Sequence, residues 1–408
     1  MRGDLCEKIS SLYAHALVTL FFLYLPLGGY ARMMEEKYAL FLALTAPYVL
    51  AMLLLSRKKI RGAMQLSALV LLALSALSCL LSPHGTQTLF GASRKNGLLT
   101  VALCLLLFLF LSQHLKPTRS LVYAAGVSVT LCDALILVQL TGANPFALYP
   151  EGLTYFDGNA AYAGEFVGCA GNADFMALLL TLAACAFIAA LLRGFHFSLL
   201  LPVILSLLCL WELRVATAFV GLFAFALTLP FLLRAKKAAA LSLSLLVFAL
   251  AALYFIPFSS GTLHELSRLL HGEFDPAYGS GRLAIWTQLP PHIAARPLLG
   301  HGCDTLRFLD LEPFYWYVDG KTVHALITDA HSEYLTLLVE RGALALAAYL
   351  ALLFLALRRC LLHLRKPRFA IALALLVPYC AMAAVSVSTC ITAPYLWLTL
   401  AVIAKNDD

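Results

Sequence analysis

Charge is what this chain of 408 residues has least of: Asp, Glu, Lys and Arg make up 12% of it, against 62% hydrophobic residues. Soluble globular domains carry about twice that charge. Together with a mean hydropathy of +0.87, this excludes a water-soluble domain and indicates an integral membrane protein. The missing spacings exclude more. No CxxC or HxxxH pair occurs, although His264, His271, His292, His301 and His324 fall in one region, so no metal site is expected. No GxSxG marks a serine nucleophile, and the GHG at 300–302 lacks the further glycines or lysine of a nucleotide-binding turn. No basic run is interleaved with aromatics, so no nucleic-acid partner is implied; basic residues facing anionic lipid account for the net charge of +7. Internal repeats, heptads and low-complexity tracts are also lacking.

What is present is a succession of apolar runs. About twelve are long enough to cross ~30 Å of hydrocarbon, at roughly 10–29, 38–55, 64–82, 97–112, 121–140, 174–192, 197–212, 215–233, 238–258, 335–357, 369–388 and 391–404. The expected fold is therefore an all-α polytopic integral membrane protein with about 12 transmembrane helices. The 197–233 region reads equally as a helical hairpin or a broken helix. The first run resembles a secretory apolar region, but its length favours a retained helix. Arg57, Lys58, Lys59, Arg61, Lys116, Arg119, Arg234, Lys236, Lys237, Arg358, Arg359, Arg365, Lys366 and Arg368 fall on one side if both termini are cytoplasmic, as the excess of cations in inner connections requires.

Two long connections then face outward, about 141–173 and 259–334. The second divides the chain into helices 1–9 (residues 1–258), a large outer loop (259–334) and helices 10–12 (335–408). Within it, TLHELSRLLHG at 262–272 has one apolar face and predicts a short interfacial helix, while Trp286, Phe314, Tyr315, Trp316 and Tyr317 suit the membrane surface. The eleven cysteines mostly lie inside apolar runs. Cys169 and Cys303, the two clearly outside, are the candidates for a disulfide.

Outer-side cations have no topological reason to be kept. Arg94 and Lys95 follow the third run, Arg214 occupies the minimal turn between the seventh and eighth, and Arg282, Arg296 and Arg307 lie in the long loop. Guanidinium forks suit phosphate oxygens, and several converging on one cleft would hold a pyrophosphate. The plainer reading of Arg214 is a helix-end cation that snorkels and pairs with Glu212. The stretch DAHSEYLTLLVERG at 329–342 brings His331, Glu333, Glu340 and Arg341 to the mouth of the tenth run. His331 would stand at the outer end of a packed face with Asp329 and Glu333 beside it, able to orient the ring; alone, it would read as a capping histidine.

RPLLGHGCDTL at 296–306 followed by DAHSEYLTLLVERGALALAAYL at 329–350 resembles the signature of the O-antigen ligase and O-antigen polymerase superfamily of membrane glycosyltransferases. There a P-x-x-G-x-G segment leads through a variable outer loop to a His-[Asn/Ser]-x-x-Leu…Gly helix. SGRLAIW at 280–286 and GNADFMALLL at 171–180 are similar to further segments of the family. Ser332 replaces the commoner Asn, His301 stands where a small apolar residue is usual, and ELRVAT departs from the Ser-Arg-Gly form of the arginine turn.

The resemblance implies a multi-pass protein of the bacterial cell (inner) membrane that needs no cofactor. It would transfer or polymerise glycan from an undecaprenyl-pyrophosphate-linked donor onto a glycan, lipid or protein acceptor hydroxyl. His331, Arg214, Arg282 and Glu333 would be catalytic, and Arg94, Arg296, Gly300, Gly302 and Asp329 would bind substrate. The rival from another class is a transporter or flippase for a lipid-linked or anionic substrate, which would centre on Asp133, the isolated mid-run acid. A non-catalytic assembly protein using the outer loop for docking is a third reading.

Overall fold

A computed structural model describes residues 2–148, 155–157, 160–162, 168–279, 281–318 and 321–405. Each apolar run of the sequence lies on a helix: α1 (Arg2–Ala16, continued by a π-helical turn, Leu17–Phe21), α2 (Met33–Leu55), α3 (Ala63–Leu80), the short α4 (Thr86–Phe90), α5 (Leu98–His114), α6 (Arg119–Leu140), α7 (Ala173–Leu191), α8 (Leu200–Leu213), α9 (Ala216–Leu232), α10 (Ala238–Phe255), α11 (Gly261–Leu270), α12 (Arg282–Ala295), α13 (Glu333–Leu362), α14 (Pro367–Ala383) and α15 (Ala393–Ala404). Six of these helices have the length and composition to cross a bilayer, and five shorter apolar helices accompany them. This is a multi-pass membrane protein.

The ambiguous 197–233 region is a pair of helices, α8 and α9. They break at Arg214, which takes a left-handed conformation (φ 53°) that closes α8. The amphipathic stretch in the long connection is α11, as its leucine spacing predicts. Purely helical the fold is not: each long connection adds a short antiparallel hairpin, Tyr155–Asp157 with Ala160–Tyr162 and Phe314–Val318 with Lys321–Ala325. The side chains of Phe314, Tyr315, Trp316 and Tyr317, expected at the membrane surface, lie outside the described residues.

The core is built by α13 packing along α3, α14 against α7 and α9, and α15 against α5. α7 is the most enclosed of the long apolar helices. Its start is fixed by Asn172, whose side chain accepts from the amides of Asp174 (2.9 Å) and Phe175 (3.2 Å), an N-cap that only a short polar side chain supplies. By contrast α10 buries none of its residues and packs on α9 and α11. Asp133, on which a transporter reading would centre, is buried in α6 and accepts from Ser206 Oγ of α8 at 2.9 Å, a polar bond between two packed helices.

Candidate active site

The segment DAHSEYLTLLVERG does not form one uninterrupted helix start. Ser332 caps α13, its Oγ accepting from the Leu335 amide at 3.4 Å. Ten residues later Gly342 leaves helical geometry (φ 80°, ψ 174°), so a first limb ends at Arg341 and a second begins at Ala343. Into this break fits the P-x-x-G-x-G segment. The amides of His301 and Gly302 donate to the carbonyls of Val339 (3.1 Å) and Glu340 (2.7 Å), and the Ala343 amide donates to Pro297 (2.8 Å). Contact this close leaves no room for side chains. A Cβ on Gly300 would stand 2.4 Å from the Glu340 carbonyl carbon, and one on Gly342 would stand 2.2 Å from that of Leu298. With positive φ at both, glycine is required twice. Gly300 and Gly302 thus shape the backbone around the site.

Glu340 turns its carboxylate back on the same segment, accepting from the amides of Asp304 (2.9 Å) and Leu306 (3.4 Å). Asp304 in turn accepts from the amides of Ser93, Arg94 and Asn96, holding the 93–96 turn against the loop. Burial pushes the Asp304 carboxyl above the ordinary aspartate range, against the pull of those three N–H groups. That turn aims Arg94 at Asp329: Nε and Nη2 lie 2.9 and 2.7 Å from Oδ2. The other carboxylate oxygen of Asp329 accepts the His331 amide at 2.9 Å and lies 3.6 Å from the ring Nδ1. Burial opposes charge on Asp329, which is 3% exposed, but His331 and Arg94 together hold its carboxyl below the usual range. His331 itself is 38% exposed and adopts a left-handed backbone (φ 46°), an uncommon conformation imposed by the turn before the cap. The chain Arg94, Asp329, His331 can fix an imidazole with one nitrogen toward a carboxylate and the other free.

Of the two acids expected beside His331, it is Asp329 that meets it. Glu333 accepts from Tyr349 (2.5 Å) and Tyr379 (2.7 Å), which ties α13 to α14. A cavity of about 50 Å³ lies under Asp329 and Glu333, and Arg94, Asn96, Glu340 and Arg341 also line it. His331, Arg214 and Arg282 do not line it. Arg282 donates from Nε to the Val385 carbonyl (3.2 Å) and from Nη1 to that of Gly279 (2.7 Å), so it stands at the C-terminal end of α14. The Tyr334 hydroxyl donates to the Cys380 carbonyl (2.8 Å), which brings the Arg282 and His331 segments to the same end of α14. Arg296 donates to the Leu81 carbonyl (3.0 Å), and Arg307 to that of Ala92 (2.9 Å). Arg214 is exposed, and among the described residues neither it nor Glu212 has a polar partner, so the expected pairing of these two is not formed.

Sequence reasoning missed Asp304, Asn96, Tyr349 and Tyr379, and gave Glu340 and Arg341 no role. Two charges inside an apolar run were a signal for the last two. Nothing in the sequence marked the tyrosines, which look like ordinary membrane aromatics. Cys169 and Cys303 are not neighbours either: Cys169 lies against Cys132, and the Cys303 amide reaches Cys79 Sγ at 3.4 Å.

Residues 175–350 match the family model described as O-antigen ligase. The match opens in the first turn of α7, closes in the second limb of α13, and contains every site residue expected from the sequence except Arg94; Asn96 and Tyr379 also lie outside it. No curated protein matches the chain. The glycine clasp and the His331 helix lie inside the matched segment, so it is the part of the chain that builds the site which is similar to the O-antigen ligase family.

Proposed function

We propose that this protein transfers or polymerises glycan from an undecaprenyl-pyrophosphate-linked donor onto an acceptor hydroxyl at the outer face of the membrane. The acceptor oxygen attacks the anomeric carbon, the bond to the pyrophosphate breaks, and the lipid diphosphate leaves. His331 takes or orients the acceptor proton, a contribution of about 10²–10⁴ in rate. Asp329, locked by Arg94, sets the tautomer of His331. Arg214 and Arg282 stabilise the charge that grows on the departing diphosphate, with Arg296 at the rim; loss of one such donor commonly costs ~10²–10³. Glu333 acts through position, as the residue that holds the first limb of α13 against α14. The leaving group is already activated, so the reaction as drawn uses no nucleotide.

The observation that carries this reading is the buried Asp329, one oxygen of which accepts from two nitrogens of Arg94 while the other accepts the His331 amide. Such an arrangement orients an imidazole that a capping role would leave unconstrained. The transporter reading has less support, since Asp133 is engaged by Ser206 in helix packing. The test is to incubate the purified protein with a defined prenyl-pyrophosphate oligosaccharide and several hydroxyl acceptors. Wild type should yield an extended acceptor, while His331→Ala and Arg282→Ala, inserted at wild-type level, should not. Transfer that survives both substitutions would refute the assignment.

A further inference from the structure

The eleven cysteines are all free thiols in the structure, and nearly all are buried. One pair stands apart. Cys132 on α6 and Cys169, in the turn before the Asn172 cap of α7, have their Sγ atoms 3.4 Å apart, and each residue is 1% exposed. The Cys169 thiol donates to the Phe22 carbonyl at 3.0 Å, and the Cys132 thiol to Met176 Sδ at 3.7 Å. The Phe22 carbonyl also receives the ammonium of Lys37, another buried side chain, at 3.1 Å, and Phe21 receives it at 3.2 Å.

We propose that Cys132 and Cys169 are joined by a disulfide in the mature protein, a covalent staple between α6 and the turn that opens α7. A disulfide needs the sulfurs about 2 Å apart. Starting from 3.4 Å, small side-chain rotations close that gap. Oxidation strands no polar group. When Cys169 loses its hydrogen the Phe22 carbonyl keeps the Lys37 ammonium, and the thioether of Met176 needs no donor. The bond would close a loop spanning 37 positions, long enough to restrict the unfolded chain substantially.

The step balances as thiol–disulfide exchange. Two thiols and one disulfide of an external oxidant, a dithiol oxidase or a small-molecule disulfide, give the Cys132–Cys169 bond and two oxidant thiols. Since both sulfurs are enclosed, the bond forms as segment 168–170 docks and is afterwards shielded. The staple lies three residues from Asn172, beside Asp174, whose carboxylate accepts from Thr217 in the first turn of α9 at 3.4 Å. It therefore holds the α7–α9 corner from which Arg214 projects. The Cys79–Cys303 contact is of another kind: Cys79 Sγ accepts an amide and donates to the Thr88 carbonyl at 3.9 Å, so that sulfur already serves backbone groups.

The inference rests on the reading that this end of the bundle faces an oxidising outer compartment. To test it, membranes are acid-quenched, free thiols are alkylated in denaturant, and peptides are mapped without reduction. The Cys132 and Cys169 peptides should appear linked and separate on reduction; alkyl label on both overturns the staple. In parallel, Ala143→Cys, in the exposed connection after α6, is probed on intact cells with a membrane-impermeant maleimide. Labelling of intact cells with an unlinked pair defeats the staple and leaves the topology standing, whereas labelling only after lysis defeats the topology. As a second readout, reduction should lower the Tm of wild type and leave that of Cys132→Ser unmoved; an equal response in both counts against the bond.

Discussion

The two ends of the helical bundle use their cations differently. At one end, Arg193 and Arg234 donate to the carbonyls of Leu364 (3.3 Å) and Arg365 (3.2 Å), Lys58 and Lys405 donate to that of Gln113 (3.1 and 2.8 Å), and Arg359 and Arg368 both donate to that of Lys405 (3.0 Å). These are cations satisfying backbone acceptors near helix ends, where the helix dipole favours positive charge. At the other end Arg94 donates from two nitrogens to one oxygen of a buried carboxylate, and the side chain of Arg341, 8% exposed, makes no hydrogen bond among the described residues while lining a cavity shared with Glu333 and Glu340. The first arrangement tolerates exchange of one cation for another. The second depends on where each guanidinium points, which is the property expected of an end that does chemistry.

The contrast can be broken by substitution at either end. The largest effect should come from His331→Ala, lowering transfer from a prenyl-pyrophosphate oligosaccharide by about 10²–10⁴; a loss under tenfold would put the imidazole outside the chemistry. Arg282→Ala and Arg214→Ala should each cost ~10²–10³ in the same assay, and their retention of wild-type rate would assign diphosphate binding elsewhere. Arg94→Met strands a buried carboxylate, so unfolding should become easier by about 3 kcal/mol, with activity falling as His331 loses its orientation.

Smaller is the pH effect at Asp329. Its folded pKa is depressed, so its contribution to stability is present above the unfolded value of about 4 and disappears as pH falls through the folded value. Asp304, whose pKa is raised, works in the opposite sense: its contribution is present at low pH and lost as pH rises. Comparing Tm against pH for wild type and Asp329→Asn isolates the first, and the variant should lack that acid-side loss. At the other end Arg234→Ala should change stability by no more than about 0.5 kcal/mol and leave transfer unchanged. A large loss there would erase the distinction between the ends.

Much of this fold could be read from the sequence because hydrophobic runs and helices answer to the same constraint. A segment in hydrocarbon must satisfy its backbone internally, and each apolar run is accordingly a helix. The break at Arg214 fell in a region where two alternatives stood open. The break at Gly342 could not be read from periodicity, since the apolar pattern continues across it and the glycine is explained only by the backbone of Leu298 pressing against it. At the site, His331, Asp329, Glu333, Gly300 and Gly302 were visible as a motif, and Arg94 as an outer cation. Which acid meets the imidazole was not, because Asp329 and Glu333 flank it almost symmetrically in sequence. The turn before Ser332 places Asp329 against the ring, and two tyrosines from the core claim Glu333. Asp304 was hidden for a related reason: its partners are backbone amides about 210 positions away, and backbone amides leave no mark in a sequence.

The most direct measurement follows both products of the reaction in one vessel. Purified protein, a prenyl-pyrophosphate oligosaccharide and a hydroxyl acceptor should release free prenyl diphosphate in step with glycosylated acceptor, mole for mole, and Asp329→Asn and His331→Ala should suppress both together. Lipid diphosphate released without glycosylated acceptor, or glycan transfer undiminished in those two variants, would contradict the account.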